Sequence, residues 1–190
     1  APHRQWWPAM EDLDAFKDQK IPEPATLFDD FKNRGTAAKE AEMRIGDHMA
    51  LSADNKIHPD RLQKLKLEEF LDWYENAYLE RYERLSLEEK MKWDSVYGPI
   101  NEDFSKNTPK GKELTYWKYQ RYMEDYLGAI RSVDRNIGEL LDYLEEEGLS
   151  ENTLVVYTSD QGFFLGEHGW FDKRFMYEPS FRTPLIVRWP

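Results

Sequence analysis

An apolar run at residues 154–157 empties into a loop that carries Asp160, Gln161, Gly162, Gly166, His168, Gly169, Lys173 and Arg174. In open α/β sheets ligands collect beyond the carboxyl ends of the strands, so chemistry is expected in a loop of this composition. Asp160 and Gln161 set a carboxylate beside an amide carbonyl, two hard oxygens suited to calcium or magnesium. Read alone, the pair fits better a cap on the next element with a solvated amide beside it. Two oxygens do not fill a calcium shell, so further ligands must come from elsewhere. Lys173 and Arg174 suit a sulfate or phosphate oxygen, one as a point charge and the other as a planar fork. By themselves they also fit a solvated basic pair on a loop. His168, set among glycines, can donate to an anion or a sugar hydroxyl, or simply be exposed. His3, within Pro2-His3-Arg4, has the chemistry of a general acid, and alone reads as an incidental terminal histidine. His48 and His58 have no partner at ligand-like spacing and read as surface or structural residues.

These residues need elements to hold them. Prolines at 2, 8, 22 and 24 make residues 1–26 loop-like, with Trp6 and Trp7 tucking the loop onto a core. Residues 36–50 suit a short helix bearing Met43 and Met49, and residues 52–56 a polar turn. From 59 to 92, apolar and aromatic residues recur at spacings of three and four, which predicts helix. Ser86 and Glu89 have the spacing of a capping box, so one helix ends near Arg84 and another starts at Leu87. Gly98, Pro99, Pro109 and Gly111 predict a loop over 97–111. The clearest helix covers 115–147, with Met123, Leu127, Ile130, Ile137, Leu140, Leu141 and Leu144 as its apolar stripe and Gly148 as its stop. Residues 154–157 read as a buried strand, and 185–188 as a second strand between Pro184 and Pro190. A long helix feeding a central strand is α/β organisation.

The 190 residues suffice for one domain with a substantial core or for a large part of a bigger one. A net charge of −11 argues against a nucleic-acid partner. An anionic ligand would then need cations gathered locally, from among Lys173, Arg174, Arg182, His168, His3 and Arg4. With no cysteine there is no disulfide, thiolate metal site or cysteine nucleophile in this chain. No apolar run approaches a membrane span, and no signal peptide is visible.

Taken in order, the helix at 126–144, Asn152 to Gly162, Leu165 to Gly169, Asp172-Lys173-Arg174 with Tyr177-Glu178, and Arg182 to Arg188 resemble the second conserved region of sulfatases, in the alkaline phosphatase superfamily. Pro2-His3-Arg4 is similar to the family's upstream Lys-x-Pro-His element. The resemblance implies part of an α/β/α sandwich around a central mixed, mostly parallel sheet. The chain then corresponds to the middle of one catalytic domain, with a variable segment at 1–112 and a conserved one at 113–190. It implies that Asp160 and Gln161 are calcium ligands, with magnesium as an alternative; Gln161 replaces the commoner Asn, and either amide oxygen can ligate. It implies that Lys173 contacts the sulfate, that His3 protonates the departing alcohol, and that His168 and Arg174 contact the substrate. The Asp172-Lys173-Arg174 wording is similar to glycosaminoglycan 6-O-sulfatases, which points to a sulfated amino sugar. A secreted, periplasmic or lysosomal setting follows from the resemblance alone.

Sulfatases attack sulfur with a formylglycine, made by a formylglycine-generating enzyme from Cys or Ser in a Cys/Ser-x-Pro/Ala-x-Arg motif. No such motif occurs here: Ser52-Ala-Asp-Asn-Lys56 lacks the required residues, and Ser159 belongs to a strand end. The family's paired metal-binding aspartates are also absent. All of these precede the His3 element in the family, so the chain is expected to lack an upstream part and to be inactive in isolation. Alternatives are a phosphodiesterase or phosphonate hydrolase of the same superfamily, a non-catalytic polysaccharide-binding protein, or a partly folded interaction module.

Overall fold

The computed structural model describes residues 3–190, so Pro2 lies outside it. Short helices α1 (Thr36–Glu40) and α2 (Ile45–His48) precede α3 (Pro59–Leu65), α4 (Trp73–Glu83), α5 (Leu87–Lys106) and the long α6 (Lys112–Glu146). Then come β1 (Val155–Thr158), the hairpin β2 (Phe164–Leu165) and β3 (Phe171–Asp172), α7 (Glu178–Phe181) and β4 (Leu185–Arg188). β1 pairs antiparallel with β4, Val156 opposite Val187, and β2 pairs antiparallel with β3. The α/β class expected from the sequence holds, although both pairings among the described residues are antiparallel rather than mostly parallel. No helix among the described residues is long and apolar enough to cross a membrane.

α6 is the spine, and its buried half is the N-terminal one. Tyr119, Tyr122, Met123 and Ala129 pack with Trp6, Leu27, Ile45, Met49 and Phe171. Trp6 meets Tyr122 at 4.3 Å between ring centroids, so the N-terminal loop is indeed fastened to the core. The stripe read along the C-terminal half is less deeply buried, and Leu140 is exposed. At its end Gly148 takes φ 67°. Its N–H reaches Glu145 O while the Leu149 N–H reaches Leu144 O, the two bonds of a Schellman stop.

The capping box at Ser86 is formed in both directions. The loop expected over 97–111 is not: α5 runs through Gly98 and Pro99 to Lys106. Pro99 removes one helical hydrogen bond, but Tyr97, Asn101 and Phe104 are buried along one face, and tertiary packing overrides the breakers. Asn101 donates to the Lys56 and Tyr97 carbonyls and accepts from the His58 N–H. The continuous helix expected from residue 59 is broken, because Lys66 turns left-handed at φ 55°. In the break Glu69 accepts from the Leu51 and Ser52 N–H groups.

The strand at 155–158 forms, but it is not buried as expected. Val156 is 51% exposed and Ile186 62%. An apolar cleft of about 260 Å³ lies between α6 and this ribbon, lined by Ile130, Ile137 and Leu141 against Val155, Tyr157 and Ile186. A continuous apolar run suits a strand covered on both faces, and this chain does not supply that cover.

Candidate active site

Where β1 ends, His3, Tyr126, Ser159, Asp160, Gln161, Gly162, Phe163 and Lys173 line one cavity of about 160 Å³. Thr158 Oγ1 donates to Pro184 O at 2.9 Å and Ser159 Oγ to Gln161 O at 2.8 Å, which folds the chain back directly after the strand. The Gly162 and Phe163 N–H groups then bond the Ser180 and Pro179 carbonyls of α7 at 2.9 and 2.8 Å. A Cβ on Gly162 would run into the Pro179 carbonyl oxygen, so close backbone approach is what demands glycine here.

Lys173 enters the same cavity from the end of β3. Its side chain is 16% exposed, and its ammonium donates to His3 Nε2 at 2.6 Å. His3 Nδ1 lies 3.2 Å from the Arg4 carbonyl, which can only accept. The contacts therefore assign the proton to Nδ1 and the lone pair to Nε2. Asp172 sets up the two neighbouring cations. It holds φ 77°, accepts from the Lys173 N–H at 3.0 Å through Oδ1, and takes Arg174 Nε and Nη2 on Oδ2 at 3.2 and 3.0 Å. Arg174 is 53% exposed and does not line the cavity.

His168 lies elsewhere. It takes φ 58°, between Gly166 at 104° and Gly169 at 69°, and its N–H donates to Thr26 Oγ1 at 3.0 Å. Its Nδ1 sits 2.7 Å from Asp29 Oδ2 and 3.1 Å from Arg34 Nη2. Arg34 Nη2 grips the same oxygen at 2.8 Å. Burial opposes ionisation of Asp29, but hydrogen bonds from His168, the Phe31 N–H and Arg34 hold its carboxyl below the usual range. Trp170 and Tyr177 pack at steep angles against the imidazole, at 5.5 and 5.4 Å between centroids, and His168 lines a second cavity of about 460 Å³ with Asp29, Arg44, Asp47 and Lys112. The structure thus brings His3, Lys173, Asp160 and Gln161 together and leaves His168 and Arg174 outside that group.

Among the described residues no three His, Cys, Asp or Glu side chains gather as a metal cluster. The donors at the cavity, an exposed carboxylate and an exposed amide, suit a hard divalent cation but amount to part of a shell.

The Sulfatase family model matches residues 67–190. The chain belongs to the sulfatase family. This sulfatase chain is 50% identical over all 190 residues to the N-acetylglucosamine-6-O-sulfatase of Bacteroides thetaiotaomicron, of which it covers 33%. It is 31% identical over 94 residues, half of the chain and 14% of the relative, to the iduronate 2-sulfatase of Mus musculus. A solved structure of a protein with its substrate D-glucosamine-2-N,6-O-disulfate matches the whole chain at TM-score 0.88 and 49% identity, over 37% of that protein. The sulfatase chain thus spans about a third of the length of the full-chain relative it matches.

Sequence reasoning overlooked Tyr126, Ser159 and Phe163 as walls of the sulfatase cavity. Ser159 was visible as the residue before Asp160, whereas Tyr126 and Phe163 are signalled only by the contact their rings make at 6.0 Å. Asp172 was read as part of a motif without a role of its own. Arg4, counted among the cations available to an anion, is engaged with Asp54 and Tyr74 instead.

Proposed function

We propose that the complete protein is a sulfuric ester hydrolase that removes the 6-O-sulfate of a glucosamine-type sugar in a sulfated glycan. The observation that carries the reading is one cavity, in a sulfatase-family chain, that gathers an ammonium, an imidazole and two hard oxygen donors. The similarity to an N-acetylglucosamine-6-O-sulfatase over the whole chain supports the choice of sugar.

In this reading Lys173 binds the sulfate oxygens by charge, with Asp172 holding its backbone. His3, whose Nε2 is a lone pair facing the ammonium in the resting site, first takes a proton from water at that nitrogen and then delivers it to the departing sugar oxygen. Once protonated, the His3 ring would repel the Lys173 ammonium, and an anionic sulfate against both groups offsets that repulsion. Asp160 and Gln161 would hold part of the shell of a calcium ion, or magnesium in its place. Such a cation supplies polarisation of the sulfate, and a formylglycine from outside this chain, made by a formylglycine-generating enzyme, supplies the nucleophile. Arg174 and His168 would meet parts of a larger glycan beyond the sulfate itself.

The test is sulfate release by the complete protein from 6-O-sulfated glucosamine, 2-O-sulfated iduronate and choline sulfate. Preference for the first supports the reading. Release from a phosphate diester alone would replace it with phosphoester chemistry, and glycan binding without any release would replace it with a binding role.

A further inference from the structure

The polar stretch 52–56, read from sequence as a turn, is wholly buried. Ser52, Ala53, Asp54, Asn55 and Lys56 are each 0% exposed. Burying a carboxylate is tolerable only if it is paired and hydrogen-bonded, and Asp54 is. Its Oδ2 accepts from the Ala50 N–H at 2.8 Å and from Arg4 Nη2 at 2.8 Å, and its Oδ1 from Arg4 Nε at 3.1 Å. Arg4 Nη2 also donates to Tyr74 Oη at 2.9 Å. The guanidinium carbon lies 4.9 Å from the centre of the Tyr74 ring and 4.8 Å from that of Phe171.

Phe171 belongs to β3, two residues before Lys173. Arg4 therefore sits on the strand that presents Lys173, while its neighbour His3 meets the Lys173 ammonium. The polar contacts of the exposed His3 side chain are with Lys173 and the Arg4 carbonyl. Its placement is thus inherited from the residue beside it.

We propose that Asp54 is a positioning residue for His3, acting through Arg4 to fix the imidazole against Lys173. This rests on the reading of His3 as the proton donor to the departing sugar. The pair must be Arg with Asp: the two-pronged grip and the ring contacts need a planar guanidinium, and its burial needs an opposite charge.

The experiment uses the complete protein with Asp54→Asn and, as the milder change that keeps the cation and the fold, Arg4→Lys. Turnover is measured on 6-O-sulfated glucosamine, whose alcohol must be protonated to leave, and on 4-nitrophenyl sulfate, whose phenolate leaves as the anion. The expected result is a fall in kcat of about 100-fold on the sugar ester, the usual cost of displacing a catalytic group by about 1 Å. Turnover of the aryl ester stays near that of the unaltered protein. Equal losses on both esters, or no loss on the sugar, would overturn the proposal. In parallel, 15N-histidine spectra report the His3 tautomer: the Nδ1–H form in the unaltered protein and its loss in Asp54→Asn are expected. A His3 signal unchanged by Asp54→Asn would also overturn it. If the unaltered protein cleaved neither ester the sulfatase reading would fall, while the histidine spectra would still decide the positioning role.

Discussion

The Lys173 ammonium donates to His3 Nε2 at 2.6 Å, joining residues 170 positions apart. Nothing local makes these two meet. Lys173 is delivered by the β2–β3 hairpin, and His3 by a loop whose Trp6 is buried against α6 and Phe163. The contact sets an ammonium beside an imidazole, on the cavity that Asp160 and Gln161 also line.

Metal affinity should depend on the exposed pair at the end of β1. Asp160→Ala in the complete protein is expected to weaken calcium binding, read by calorimetry, by at least about tenfold. Unchanged affinity would remove Asp160 from the metal shell.

Gly162→Ala should destabilise the protein by about 1–3 kcal/mol, the range for overpacking, because the added methyl meets the backbone of α7 rather than a movable side chain. Urea denaturation measures this. A neutral result would show that α7 can give way.

Asp125 is 1% exposed, lies 3.4 Å from the Lys56 ammonium, and accepts from Arg121 at 3.0 Å and Tyr97 Oη at 2.8 Å. Asp125→Ala takes the carboxylate partner from the buried Lys56 ammonium and leaves Arg121 paired with Glu124 alone, and should cost about 3–5 kcal/mol by the same denaturation measurement. A loss under about 1 kcal/mol would mean that the network contributes little.

Burial lowers the His48 pKa below its ordinary value, and its Nδ1 accepts from the Arg44 N–H, a bond that only the neutral ring can make. A histidine depressed in the fold binds fewer protons there than when unfolded, so stability rises with pH. The contribution is complete above the ordinary histidine range and is lost as pH falls through it. The melting temperature should therefore drop between about pH 7 and pH 5, and drop less in His48→Gln. Equal pH dependence in both proteins would clear His48 of the effect.

Residues whose information is local were legible in the sequence. The Ser86 capping box, the Gly148 stop and the apolar runs at β1 and β4 each depend on a few neighbours, and each formed where the pattern put it. What failed depends on distant partners. Pro99 reads as a breaker until Asn101 is seen bridging α5 to the Lys56 carbonyl. Residues 52–56 read as a polar turn with no sign of burial until Arg4 and Lys118 are seen closing over them, with the Lys118 carbonyl accepting from Asn55 and its ammonium donating to Met49 O. At the site, Asp160, Gln161 and Lys173 were legible as candidates from residue type and His3 from the family resemblance, and the fold places all four on one cavity. The sequence left His168 open between a ligand contact and an exposed ring, and Asp29 with Trp170 and Tyr177 makes it a packed one.

The most direct test is sulfate release from 6-O-sulfated glucosamine by the complete protein, unaltered and as Lys173→Ala and His3→Ala. The account predicts release by the unaltered protein and a loss in kcat/KM of about 100-fold or more in each variant, the scale on which positioned charge and proton transfer contribute. Undiminished release in either variant would contradict the role given to that residue, and no release by the unaltered protein would contradict the account as a whole.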